Sequence, residues 1–191
     1  MSIIAFISMA IAFGISALLL MHRCASATPI RLSEGLLVAA ATAVMQSALF
    51  LLGFAIGDTL RFEDASGSYV EVNALILLGT AAVVAFKWIG PYLRREPRLP
   101  VFALNGGTVR TLLMALATGI NASIVGIGVG FVTPLSANFH GALWPMLLST
   151  LLLAYLGIMF GRQHVTLRPR RWMIIATILL LGVAIHQVVM H

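Results

Sequence analysis

Ala115-Leu-Ala-Thr-Gly-Ile-Asn-Ala122 repeats, at five of its eight positions, the stretch Ala10-Ile-Ala-Phe-Gly-Ile-Ser-Ala17 that lies 105 residues before it. Each copy sits inside an apolar run of about 20 residues, the length at which a helix crosses ~30 Å of hydrocarbon. Each places a glycine, a poor helix former, two residues before a small polar side chain: Gly14 before Ser16, and Gly119 before Asn121. The echo continues along the chain. Leu49-Phe-Leu-Leu-Gly-Phe-Ala-Ile-Gly57 matches Leu153-Ala-Tyr-Leu-Gly-Ile-Met-Phe-Gly161 at an offset of 104, and Ile76-Leu-Leu-Gly79 matches Leu179-Leu-Leu-Gly182 at 103. One such match is expected by chance in a chain rich in Leu and Gly. Three in order, at offsets drifting by two residues, read as two copies of a three-helix unit. Three is odd, so the second copy enters the membrane from the opposite side. That arrangement is an inverted repeat, an architecture common among secondary transporters.

Composition leads to the same class. The 191 residues are 60% hydrophobic and 9% charged, with a mean hydropathy of +1.02. A soluble domain carries about 25% charged residues, so too few polar groups remain to cover a surface facing water. A net charge of +6 would suggest nucleic acid in a soluble chain. In a membrane protein, basic residues instead mark cytoplasmic loops, and no nucleic-acid partner is expected. The single Cys24 excludes an internal disulfide and a multi-cysteine metal site. The first apolar run has no Lys or Arg ahead of it, unlike a secretory leader, and reads as a retained helix.

Six apolar segments, near Ser2–Met21, Gly35–Gly57, Val72–Ile89, Val109–Val132, Ala142–Gly161 and Trp172–Met190, are expected to span the bilayer as helices. The connections between them are asymmetric in charge. The first, third and fifth, with their flanks, hold eleven of the twelve basic residues; only Arg61 lies elsewhere. The second loop is acidic, with Asp58, Glu63, Asp64 and Glu71, and the fourth, Thr133–Gly141, has no charge. The positive-inside rule puts the three basic loops in the cytoplasm and both termini outside. The stretch 91–107, with three prolines and an Asn-Gly-Gly turn, reads as a basic cytoplasmic linker. It joins a first repeat, 1–90, to a second, 108–191.

Sites in inverted-repeat transporters lie near the midplane, where weakened helices of the two repeats meet. Gly14 and Gly119 are therefore the expected helix breaks. Ser16, Gln46, Thr118 and Asn121 are the candidate substrate pathway. Gly53, Gly57, Gly157, Gly161 and the Gly126-Ile-Gly-Val-Gly130 stretch are read as close-packing surfaces. Lys87 is expected to snorkel to the headgroups, and His186 to sit near the outer interface. Asp58, Glu63 and Asp64 read as a solvated acidic loop. No Ser/His/Asp set or phosphate-binding loop appears, so an enzyme is not expected, and no cofactor is implied.

These residues resemble the MntP family of manganese efflux pumps, within the wider LysE-like group of small exporters. The family has six helices in two three-helix repeats, with Ser-x-Asp-Ala-type motifs in its first and fourth helices. The fourth helix here, Ala117-Thr-Gly-Ile-Asn-Ala-Ser-Ile-Val-Gly-Ile-Gly128, is similar to the family's Ala-Thr-Ser-x-Asp-Ala-x-Ala-Val-Gly. The second, Met45-Gln-Ser-Ala-Leu-Phe-Leu-Leu-Gly53, keeps the Gln and Gly of a family motif but replaces its Met-Pro by Leu-Phe. The resemblance implies a multi-pass transporter of the bacterial inner membrane that exports a small divalent cation such as manganese. A homo-oligomer is left open. The departures fall at the chemistry: Ser16 and Asn121 stand where the family has aspartates. The alternatives are a diverged member that moves another small solute, and a membrane interaction or assembly protein.

Overall fold

The computed structural model describes residues 1–27, 32–61, 70–93 and 108–189. They form six α-helices: α1 Ile3–Ala27, α2 Leu32–Leu60, α3 Val70–Leu93, α4 Thr108–Val132, α5 Leu135–Arg162 and α6 Pro169–Val189. All six are long and apolar enough to cross a membrane, so the protein is a multi-pass, all-helical membrane protein. Helices satisfy every interior N–H and C=O within their own segment, which lipid demands because it offers no partners.

The helices outrun the apolar windows. α5 starts at Leu135 and passes through Pro145, so the fourth connection is shorter than the expected Thr133–Gly141. Hydropathy falls at Asn138, His140 and Pro145, but the backbone ladder follows its own end groups. The Leu135 N–H donates to Asp58 Oδ2 at 3.2 Å. A carboxylate at a helix N-terminus answers both an orphan donor and the helix dipole. The Asn138 amide donates to Thr133 Oγ1 at 2.8 Å and to the Pro134 carbonyl at 3.1 Å. Asp58 is thus occupied at the start of α5 and also lies 3.7 Å from Arg61. Glu63, Asp64 and most of the expected 91–107 linker lie outside the described residues.

Packing joins the halves rather than forming within them. Among the described residues, every helix pair in substantial contact takes one helix from α1–α3 and one from α4–α6. The most extensive pairs are α2 with α4 and α1 with α5. Glycine determines both. A Cβ on Gly53 would meet the Ser123 backbone, and one on Gly57 the Ile127 backbone. Likewise, a Cβ on Gly157 would meet the Leu18 backbone, and one on Gly161 the His22 backbone. Offsets of 104 and 105 residues convert the first set of pairs into the second. In lipid no hydrophobic force draws helices together, so close backbone approach and dispersion contacts hold the pairs. The packing role read for these glycines is what they perform.

Phe13, Phe50, Phe54, Leu77, Val84, Trp88, Val125 and Met146 belong to the main core cluster. Phe13 and Trp88 meet edge to face with centroids 5.4 Å apart, and Phe50 and Phe54 do so at 6.2 Å, the favoured geometry for ring pairs. Exposed Ile4, Leu37, Val44, Leu52, Phe86 and Ile178 form the outer surface, as the lipid-facing side of a helix bundle requires.

Candidate substrate pathway

The four candidate polar residues lie near the middle of their helices: Ser16 in α1, Gln46 in α2, and Thr118 and Asn121 in α4. The Ser16 hydroxyl donates to its own helix at the Phe13 carbonyl, 2.6 Å away, and is buried. Thr118 does the same to Ala115, at 2.8 Å. These hydroxyl protons are spent on the backbone, but the oxygens keep lone pairs that can face a solute.

Asn121 has a partner that sequence reasoning missed. Lys87, on α3, donates from Nζ to Asn121 Oδ1 at 2.9 Å. The expectation that Lys87 reaches toward the headgroups is therefore corrected: its flexible stem turns the ammonium to a neutral oxygen on α4. The next residue of α3, Trp88, lies against Phe13 on α1, the residue whose carbonyl holds Ser16. One short segment of α3 thus touches the Asn121 side and the Ser16 side together. The signal that could have found it is that Lys87 is the sole lysine in the sequence, set within an apolar helix rather than in a loop.

Gln46 is fully buried, and neither Oε1 nor Nε2 has a partner. Gln46 and Leu49 share a helix face at i, i+3, and Leu49 packs where a Cβ on Gly119 would fall. This brings Gln46 within one helical turn of the contact with α4, beside the Asn121 segment. Thr150, on α5, was also missed. Its Oγ1 is buried without a partner, and it stands 104 residues after Gln46, the same offset that relates Leu49 to Leu153. Leu153 in turn packs where a Cβ on Gly14 would fall. At Gly14 and Gly119, where breaks are expected from sequence, α1 and α4 run without interruption. Among the described residues, Ser16, Gln46, Thr118 and Asn121 form no hydrogen bond with one another.

The electrostatics are positive or neutral. Among the described residues, acids lie only in the terminal turns of helices, at Glu34, Asp58 and Glu71. No group of three His, Cys, Asp or Glu side chains gathers there. Neutral oxygens can replace water around a cation but do not offset its charge. Two unit charges 4 Å apart interact by about 4 kcal/mol at an effective dielectric near 20. His186 is exposed near the end of α6, as an interfacial histidine would be. His22 has a structural partner, its Nε2 donating to the Val165 carbonyl at 2.7 Å.

Residues 29–188 match the family model described as "Putative manganese efflux pump". The chain belongs to the MntP family. The match takes in α2 to α6, and so Gln46, Lys87, Thr118 and Asn121, while Ser16 on α1 precedes it. The family is one of transporters, not of enzymes. Nothing among the curated proteins or the solved structures matches the chain.

Proposed function

We propose that this MntP-family chain exports a divalent cation, manganese foremost, across the bacterial inner membrane. The family match over 29–188 carries the reading. The site is the mid-helix set Ser16, Gln46, Thr118 and Asn121, which offers the hard oxygen ligands that Mn²⁺ prefers. The halves, 1–90 and 108–191, are inverted copies. Support comes from the glycine pairs, which interconvert at the repeat offset, and from the contact set. Exchanging α1 with α4, α2 with α5 and α3 with α6 returns the same contacting pairs. Both termini lie outside, and the basic connections lie in the cytoplasm, where anionic headgroups and the insertion machinery retain positive charge. Without membrane carboxylates the cation crosses partly hydrated, bound weakly by neutral oxygens.

The test is manganese sensitivity in cells lacking their own manganese exporter. Expression of the wild-type chain restores growth in elevated Mn²⁺, and Asn121→Ala removes the rescue. A second reading is favoured by the Lys87–Asn121 hydrogen bond, which puts a positive charge where a metal would bind. In it the scaffold persists but metal export is lost. That reading expects no rescue by the wild-type chain, and rescue once Ser16→Asp and Asn121→Asp are made together.

A further inference from the structure

Lys87 stands apart from every other cation in the chain. The remaining eleven basic residues are all arginines. Lys87 lies in the membrane span Val70–Gly90, and its ammonium turns onto a mid-helix oxygen of α4. Among the described residues no carboxylate pairs with it. The pair is therefore a cation held by a neutral amide, with one short hydrogen bond at 2.9 Å. Such a tether is weak enough to break, because the ammonium keeps two further donors in need of partners. The residue is also exposed, so its stem has room to swing. Trp88, one residue on, is buried against Phe13; this fixes the helix while leaving the lysine side chain free to move.

We propose that Lys87 is the resident cation of the Asn121 site, a tethered ammonium that any transported cation must displace. This rests on reading Asn121 as part of the cation pathway. The ammonium takes one of the two lone pairs of Asn121 Oδ1 and adds like-charge repulsion to a metal's approach. Lysine suits the task because its charge is compact and sits on a flexible stem, whereas arginine's planar fork prefers two-point partners. The stem gives the ammonium two stations. In one it holds Asn121. In the other it points along α3 toward the basic connection and the headgroups, as lysines near helix ends do. Movement between them engages or releases one lone pair of the Asn121 oxygen and brings or removes the positive charge beside it. Lys87 therefore sets selectivity by making the site costly for cations that do not pay back the lost hydrogen bond.

The experiment uses the full chain in lipid vesicles, with Mn²⁺ alone as the probe. As the sole lysine, Lys87 is read by an amine-acylating reagent and mass spectrometry of its peptide, apart from the N-terminal amine. Labelling is expected to run severalfold faster in Asn121→Ala than in wild type, and Mn²⁺ is expected to speed labelling of wild type. In transport, Lys87→Met lowers the KM for Mn²⁺ on the order of tenfold, while Lys87→Arg, which keeps the charge but fits a single amide oxygen less well, lowers it less. Labelling rates equal in wild type and Asn121→Ala overturn the proposal, as does an unchanged KM in a folded Lys87→Met chain. If neither wild type nor Lys87→Met carries Mn²⁺ while the labelling contrast persists, manganese export fails and the resident lysine stands. Should Lys87→Met not fold, the labelling comparison decides alone, since it leaves Lys87 in place.

Discussion

At the scale of single residues, the polar side chains of the membrane interior divide by how they spend their hydrogen bonds. Thr42, Thr118 and Thr177 return their hydroxyl protons to their own helices. Gln46 and Thr150 do not, and both are buried without a partner. An unmet buried polar group costs about 1–3 kcal/mol, so each is carried at the expense of stability. Gln46→Met, close in shape and without the amide, is expected to raise the stability of the folded chain by about 1 kcal/mol. If Gln46 belongs to the proposed cation pathway, the same change is expected to abolish rescue of manganese-sensitive cells. Thermal unfolding in detergent and the growth assay together check this, and a Gln46→Met chain that is no more stable contradicts it. Ser16, Gln46 and Asn121 are legible in the sequence because they interrupt apolar runs. Thr150 is not legible, since a threonine in a membrane helix ordinarily bonds to its own backbone. Nor is the direction of Lys87. Snorkelling and inward reach use the same stem, and only the position of α4 decides between them.

Among the helices, glycine position determines which pairs approach. Gly157 faces the Leu18 backbone, whereas nothing lies within 4 Å of a Cβ on Gly182. Both sit in helices, where Gly→Ala alone gains about 0.5–1 kcal/mol. Gly182→Ala is therefore expected to be neutral or mildly stabilising. Gly157→Ala must force α1 and α5 apart, because backbone cannot turn aside as a side chain can, and is expected to lower the unfolding temperature markedly. Melting curves of the two variants side by side give the answer. The existence and order of all six helices follow from the apolar runs and the glycine pattern. The start of α5 does not, because it is set by Asp58, on a different helix, accepting the Leu135 N–H. A hydropathy profile has no access to a tertiary cap of that kind.

At the scale of the whole molecule, the six helices interlock across the middle of the chain. Each of α1, α2 and α3 finds its main partners among α4, α5 and α6. The repeat in the sequence implies two equal halves but leaves open whether each folds by itself, since the same periodicity serves either case. Cut within 94–107, the two pieces are expected to restore export only when made together. Each piece alone is expected to be degraded, and pull-down of one piece by a tag on the other reports their association. The interlocking also bears on how the protein is made. When the ribosome has delivered three helices, the glycine face of α2 and the Leu18–His22 face of α1 stand open to lipid with nothing to close them. Assembly therefore waits on translation of the second half. The bilayer must hold three orphan spans through that interval, and the quality-control proteases of the membrane have that same interval in which to act.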